Sequence, residues 1–170
     1  GTTITADAQY KYYQVEEGVN ATDFVDGTRS QNTYWDDLSG NSKNGTLTNG
    51  VTFKPSGYMD FDGADDYCAI DTYTFGNGNW TVNALVAADT VQEHNLVSNT
   101  SGGPVTNAFG FASSKIHYRN YDGSWQNHDG NTTLTTGTWY MLTWVNYAGA
   151  SAAEGTMKMY VNGIADSSVF

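Results

Sequence analysis

The chain has 170 residues, enough for one domain that buries about two-thirds of the surface exposed by its unfolded form. Seven basic and 18 acidic residues give a formal net charge of −11, which repels phosphate backbones and anionic lipid and disfavours nucleic acid and membranes as partners. The single cysteine, Cys68, cannot form a disulfide within the chain, and no apolar run reaches the roughly 20 residues of a membrane span.

Residues 1–30 predict an N-terminal arm or first strand followed by a polar loop, because an aromatic run over 10–15 precedes a Gly-interrupted polar stretch. From residue 31 onward, helical periodicity is nearly absent and turn residues separate short apolar runs. Residues 31–170 therefore predict one all-β, antiparallel domain. Its predicted strands cover 51–54, 58–62, 66–71, 80–88, 95–98, 108–112, 115–120, 124–128, 138–148, 156–161 and 164–169.

Asparagine–glycine and aspartate–glycine pairs mark the turns between these strands. The pairs that begin at Asn44, Asn49 and Asp62 are each predicted to supply the positive φ angles of a tight turn. Asn162 and Gly163 predict a hairpin turn in the same way. Turn residues at this density indicate a sandwich of two antiparallel sheets.

The run from Trp139 to Val145 predicts a central strand. Period-two geometry places Leu142 and Trp144 on one face, while Met141 and Thr143 lie on the other. Bulky apolar residues on both faces favour a position in the middle of a sheet. In the next strand, Met157, Met159 and Val161 predict one apolar face by the same alternation.

Four ordered motifs resemble the laminin-G-like branch of the concanavalin A-like lectin/glucanase superfamily. The first is Trp-x-Asp-x-Ser-Gly-Asn-x-x-Asn-Gly over 35–45, followed by Phe-Asp-Gly-x-x-Asp-Tyr over 61–67. A Trp-Tyr pair at 139–140 and Tyr-Val-Asn-Gly over 160–163 complete the set. The resemblance covers roughly residues 34–164 and implies a two-sheet jelly-roll sandwich.

The family usually continues beyond its Asn-Gly hairpin into further strands, whereas this sequence stops at Phe170. The sandwich is therefore expected to lack its closing strands, unless residues 1–15, a partner strand or a longer natural product supply them. An open sheet edge promotes pairing with another chain. This departure predicts a homo-oligomer or an assembly with other structural subunits.

Catalytic carboxylates are not evident in the sequence. Glucanases of the superfamily use glutamates on alternate positions of one strand, about 5 to 5.5 Å apart across the sugar. The chain has four glutamates, which are Glu16, Glu17, Glu93 and Glu154, and none of them has that spacing. His94, His117 and His128 match neither a zinc signature nor a nucleophile motif. The sequence therefore predicts a protein that is not an enzyme and requires no cofactor.

Calcium is the one cofactor that the sequence suggests. Hard cations bind clustered oxygens, and Asp60, Asp62, Asp65 and Asp66 fall within seven residues. The alternative is that these aspartates cap local backbone amides in turns.

A second cluster, in the predicted hairpin over 117–129, is typical of glycan binding. Tyr121 and Trp125 supply rings for stacking. The polar partners for sugar hydroxyls are Asn120, Asp122, Asn127 and Asp129. The alternative is a hairpin whose Trp125 packs inward.

These features predict a non-enzymatic module that decorates or stabilises a virion or an extracellular assembly, with possible binding of surface glycans. Phage and other viral structural proteins often resemble this laminin-G-like pattern. The alternative function is a carbohydrate-binding adhesin or lectin module of a secreted bacterial protein. Both functions place the chain on a virion, outside the cell or at the cell surface.

Overall fold

A computed structural model describes residues 34–54, 56–70, 75, 78–99, 107–121, 124–147 and 157–169. Over these ranges the chain forms thirteen strands and no helix, and the strand pairs are antiparallel. The predicted all-β, antiparallel fold class is therefore confirmed. The chain divides into two compact units, one ending at Asp71 and one beginning at Thr72. The predicted arm over 1–30 lies outside the described residues, and the predicted single sandwich over 31–170 stays a prediction.

Among its described residues, the first unit contains two small sheets. One has the strand order β1-β2-β5, and β3 pairs with β4 in the other. Their bounds are β1 Tyr34–Trp35, β2 Gly45–Thr48, β3 Thr52–Phe53, β4 Met59–Asp60 and β5 Tyr67–Ala69.

Two of the turns predicted in this unit have glycines with the expected positive φ angles. Asn49 and Gly50 have φ angles of 66° and 113°, and Gly63 has 76°. The turn predicted at Asn44 is wrong, because Gly45 has no positive φ and begins strand β2. A glycine is needed there for space, since an added Cβ would collide with Cys68 Sγ on β5. Cys68 is itself half-buried, and burial raises the pKa of its thiol.

The second unit contains two four-stranded sheets. The hairpin sheet has the order β10-β9-β8-β7, and the C-terminal sheet has the order β13-β12-β11-β6. The strands are β6 Trp80–Val86, β7 His94–Asn99, β8 Asn107–Ala112, β9 Lys115–Tyr121, β10 Trp125–Asp129, β11 Tyr140–Asn146, β12 Met157–Val161 and β13 Ile164–Val169. Strand β11 lies between β12 and β6, which confirms its predicted central position.

The core of the second unit lies between these two sheets. Leu142, Trp144 and Met159 of the C-terminal sheet and Phe109 and Ile116 of the hairpin sheet are fully buried. The ring centroids of Phe109 and Trp144 lie 5.7 Å apart. Trp144 Nε1 donates a 3.1 Å hydrogen bond to the carbonyl oxygen of His117. Each sheet therefore turns one apolar face towards the other, as in a β-sandwich.

Candidate functional site

Strands β9 and β10 present one polar and aromatic face away from the core. Alternation along β9 turns Ile116 and Tyr118 into the core and leaves the residues between them on the opposite face. The register pairs Trp125 with Tyr121, Asn127 with Arg119, and Asp129 with His117. Residues paired across two strands lie on the same side of a sheet. We call this set the outer hairpin face: His117, Arg119, Tyr121, Trp125, Asn127 and Asp129.

Two exposed rings form one end of the outer hairpin face. Trp125 is 42% exposed and Tyr121 is 39% exposed, with their ring centroids 5.2 Å apart and their planes at 62°. The Arg119 guanidinium lies over the Trp125 ring, with Cζ 4.6 Å from its centroid, which is a cation–π contact. Trp125 therefore does not pack inward, and the alternative suggested for this hairpin is wrong.

Two hydrogen-bonded pairs of side chains form the other end. His117 Nδ1 lies 2.7 Å from Asp129 Oδ1, and the His117 residue is only 6% exposed. Arg119 Nη1 donates to Glu93 Oε1 at 2.9 Å. These four side chains, together with Ala112 and Asn127, line an open depression of about 220 Å³.

Residues on the core side of β9 and β10 support the outer hairpin face. The Tyr118 hydroxyl donates to Asn107 Oδ1 at 2.6 Å, and burial raises the pKa of Tyr118 to about 12. His128 stacks on the Tyr118 ring at 5.9 Å between centroids. Burial lowers the pKa of His128, and the nearby charge of His117 lowers it further. A neutral His128 ring therefore supports the strand that carries the outer hairpin face.

The sequence-predicted glycan site is brought together in part. Tyr121, Trp125, Asn127 and Asp129 share the outer hairpin face, whereas Asn120 alternates to the other side of β9, and Asp122 lies outside the described residues. His117 and Arg119 were missed, although they lie four and two residues before Tyr121, and this even spacing already placed them on its face. Glu93 was missed because no local pattern connects it with Arg119, 26 positions away.

Only three of the four aspartates predicted to bind calcium lie close together. Carboxylate oxygens of Asp62, Asp65 and Asp66 lie within 4.8 Å of one another. Asp60 is instead paired with Lys54, its Oδ2 lying 2.8 Å from Nζ.

Hydrogen bonds within this cluster agree with the turn-capping alternative. Asp62 Oδ1 accepts from the Ala64 amide at 2.8 Å, and Asp66 Oδ2 accepts from the Asp62 amide at 3.0 Å. Asp66 Oδ1 is buried and has no hydrogen-bond partner among the described residues. Calcium binding stays a prediction, and a calcium titration followed by thermal unfolding tests it, because a bound ion raises Tm.

The first sequence motif forms a loop organised by Asp37. Its carboxylate accepts from the backbone amides of Ser39 and Lys43 at 2.8 and 2.9 Å, and the Asp37 amide donates to Asn44 Oδ1 at 2.8 Å. Hydrogen bonds from the Ser39 hydroxyl and these amides hold the pKa of Asp37 below its ordinary value. This part of the first sequence motif therefore fixes the shape of a loop.

Comparisons with known proteins find no match: no protein-family model, no curated protein and no solved structure is similar to this chain. Over the described part of the chain, no helix is long and apolar enough to cross a membrane.

Proposed function

We propose that this chain is a non-enzymatic glycan-binding module, and that it binds sugars on the outer hairpin face. The observation that carries the proposal is the exposed pair of rings, Trp125 and Tyr121, directly beside a polar depression. The C–H faces of a pyranose stack on aromatic rings, while its hydroxyl groups need polar partners nearby. The outer hairpin face supplies both kinds of contact on one rigid sheet.

The charged groups of the depression support binding rather than hydrolysis. A glycosidase needs a carboxylic acid that carries a proton at neutral pH, next to a second carboxylate. Both carboxylates here already serve as partners of basic side chains, Glu93 with Arg119 and Asp129 with His117. Such pairing gives each carboxylate a role as a hydrogen-bond acceptor, which suits the binding of sugar hydroxyl groups.

The finer fold and the setting are part of this proposal. We assign the sandwich to the jelly-roll type of the concanavalin A-like superfamily, on its antiparallel sheets and on the four motifs of the sequence. A virion or extracellular location suits a glycan binder of this class. The acidic surface is compatible with neutral glycans and with protein partners.

Trp125→Ala tests the glycan proposal on an array of neutral, acidic and amino oligosaccharides. Loss of one stacking ring is expected to weaken binding by at least about tenfold, equivalent to about 1.4 kcal/mol. The matched control is Trp139→Ala, because Trp139 is similarly exposed but precedes β11 of the C-terminal sheet. A wild-type chain that binds no sugar on the array would contradict the proposal.

A second candidate function is a structural role in an assembly of copies of this chain. It is favoured by exposed apolar side chains on the outer face of the C-terminal sheet, where Leu85 of β6 pairs with Met141 of β11. Leu85 is 63% exposed and Met141 is 40% exposed. Exposed apolar surface of this kind is typical of protein contacts. Light scattering tests this candidate, and a monomer across the micromolar range would count against it.

A further inference from the structure

We infer that the depression beside Trp125 takes the hydroxyl groups of a neutral pyranose and discriminates against acidic sugars. This inference rests on the proposed glycan binding and adds the chemical class of the ligand. Its basis is the set of polar groups that line the depression: Glu93, His117, Arg119, Asn127 and Asp129.

These groups include both hydrogen-bond donors and hydrogen-bond acceptors. Asn127 can donate through its amide nitrogen and accept through its amide oxygen, while Glu93 and Asp129 are acceptors. Each carboxylate has about four lone-pair sites, so one bond to Arg119 or His117 does not saturate it. A sugar hydroxyl donates one hydrogen bond and accepts others, and therefore matches a site that mixes donors with acceptors.

Arg119 adds hydrogen-bond donors to the lining of the depression. Its Nη1 is bonded to Glu93, but its Nε is buried and has no hydrogen-bond partner among the described residues. A buried N–H without an acceptor carries a free-energy cost. The other guanidinium nitrogens belong to a side chain that lines the depression and are donors for sugar oxygens.

The charges of the lining residues decide between neutral and acidic sugars. Arg119 carries a fixed positive charge, but Glu93 already pairs with it at 2.9 Å. Asp129 brings a second carboxylate to the same depression, where it pairs with His117. A uronate carboxylate would approach two like charges at close range, which opposes binding. A neutral pyranose meets no such repulsion.

Isothermal titration calorimetry at 150 mM NaCl tests this inference with neutral hexaoses of glucose, mannose, xylose and galactose, and with hexagalacturonate and hexamannuronate. We expect at least one neutral hexaose to bind about tenfold or more tighter than either uronate. Glu93→Gln removes one carboxylate and should raise uronate affinity about fivefold or more, because less like charge then faces the uronate. Asp89→Asn is the matched control, because Asp89 is an exposed carboxylate that does not line the depression. It changes the net charge equally and should leave the preference unaltered.

The outcomes separate the two proposals. Preferential binding of either uronate by the wild-type chain overturns the neutral-sugar inference but leaves glycan binding in place. Equal uronate affinities for Glu93→Gln and the wild type also overturn it, because the charge argument then fails. If no hexaose binds and the array gives no signal sensitive to Trp125→Ala, both proposals fail together. Near-UV circular dichroism of each variant shows whether the fold is kept.

Discussion

A steric contact explains why position 45 is a glycine. A Cβ at this position would collide with Cys68 Sγ on β5 and lie 3.2 Å from Cγ2 of Ile70, which directly follows β5. The close approach of β2 and β5 therefore requires glycine, even though the backbone of Gly45 is that of an ordinary strand.

Gly45→Ala is expected to lower the free energy of unfolding by about 1–3 kcal/mol, because the added methyl group overpacks this contact. Urea denaturation measures the change. Gly78→Ala is the control, since a Cβ at Gly78 meets open space. Adding Cys68→Ala to Gly45→Ala should recover part of the lost free energy of unfolding, because the colliding sulfur is removed. Equal stabilities of Gly45→Ala and Gly78→Ala would contradict this account.

His128 is expected to make stability depend on pH. Its pKa is lowered in the folded chain, first by burial, so the unfolded chain binds a proton more readily. Above the ordinary value of 6.5 the ring is neutral in both states and contributes no slope, whereas below it the free energy of unfolding falls as pH falls.

His128→Phe keeps an aromatic ring for Tyr118 and removes the titrating group. The variant should lose less stability than the wild type between pH 6.5 and 5, as measured by urea denaturation at each pH. Between pH 7.5 and 8.5 the two proteins should show the same slope. Parallel curves over the acidic range would show that His128 is not responsible.

At the scale of elements, alternation along strands accounts for most of what the sequence predicted correctly. Leu142 and Trp144 are buried while Met141 is exposed, and Met157, Met159 and Val161 are buried together on β12. These results follow from period two alone. Asn162 and Gly163 likewise have φ angles of 52° and 78°, as a two-residue hairpin turn requires.

The bulge of β13 was not predicted. Met159 pairs with Ser167 and Tyr160 with Ala165, so Asp166 is an extra residue in the ladder. Its buried carboxylate accepts from the amides of Asn131 and Thr132 at 2.7 and 2.9 Å, and also from the Thr132 hydroxyl. Gly130 leaves room for this carboxylate, because a Cβ there would collide with it.

Asp166→Ala should destabilise the chain by about 1–3 kcal/mol, because the amides of Asn131 and Thr132 lose their acceptor. Asp166→Asn keeps one acceptor oxygen and should cost less. Thermal and urea unfolding measure both variants against Asp89→Ala, an exposed aspartate expected to change stability by less than about 0.5 kcal/mol. A loss for Asp166→Ala as small as that of the control would contradict the role of the bulge.

At the scale of the whole molecule, the apolar patch of Leu85 and Met141 bears on self-association. If copies of the chain meet through this face, Leu85→Asp should shift light-scattering mass towards the monomer, because a buried carboxylate without a partner opposes association. Thr81→Asp is the control, since Thr81 lies at the far end of the same outer face of β6. Equal masses for Leu85→Asp and the wild-type oligomer would exclude this face as the contact.

The candidate site shows the limit of sequence reasoning at this scale. Tyr121 and Trp125 were found because they lie four residues apart along one hairpin, and alternation would also have found Arg119. Glu93 belongs to the same depression because strand β8 lies between β7 and β9. Strand order depends on contacts between distant residues, which a local pattern does not contain.

The sequence by itself determined the all-β class, most strand positions, two of the three turns predicted before residue 70, and the buried faces of β11 and β12. These properties depend on neighbouring residues, through the period of a strand and the φ angles that Asn and Gly allow. Only the tertiary structure decided the outward position of Trp125, the separation of Asp60 from the other aspartates, and the pairing of Glu93 with Arg119. Those depend on which strands become neighbours and on the space left between them, because packing joins residues that are far apart in the chain.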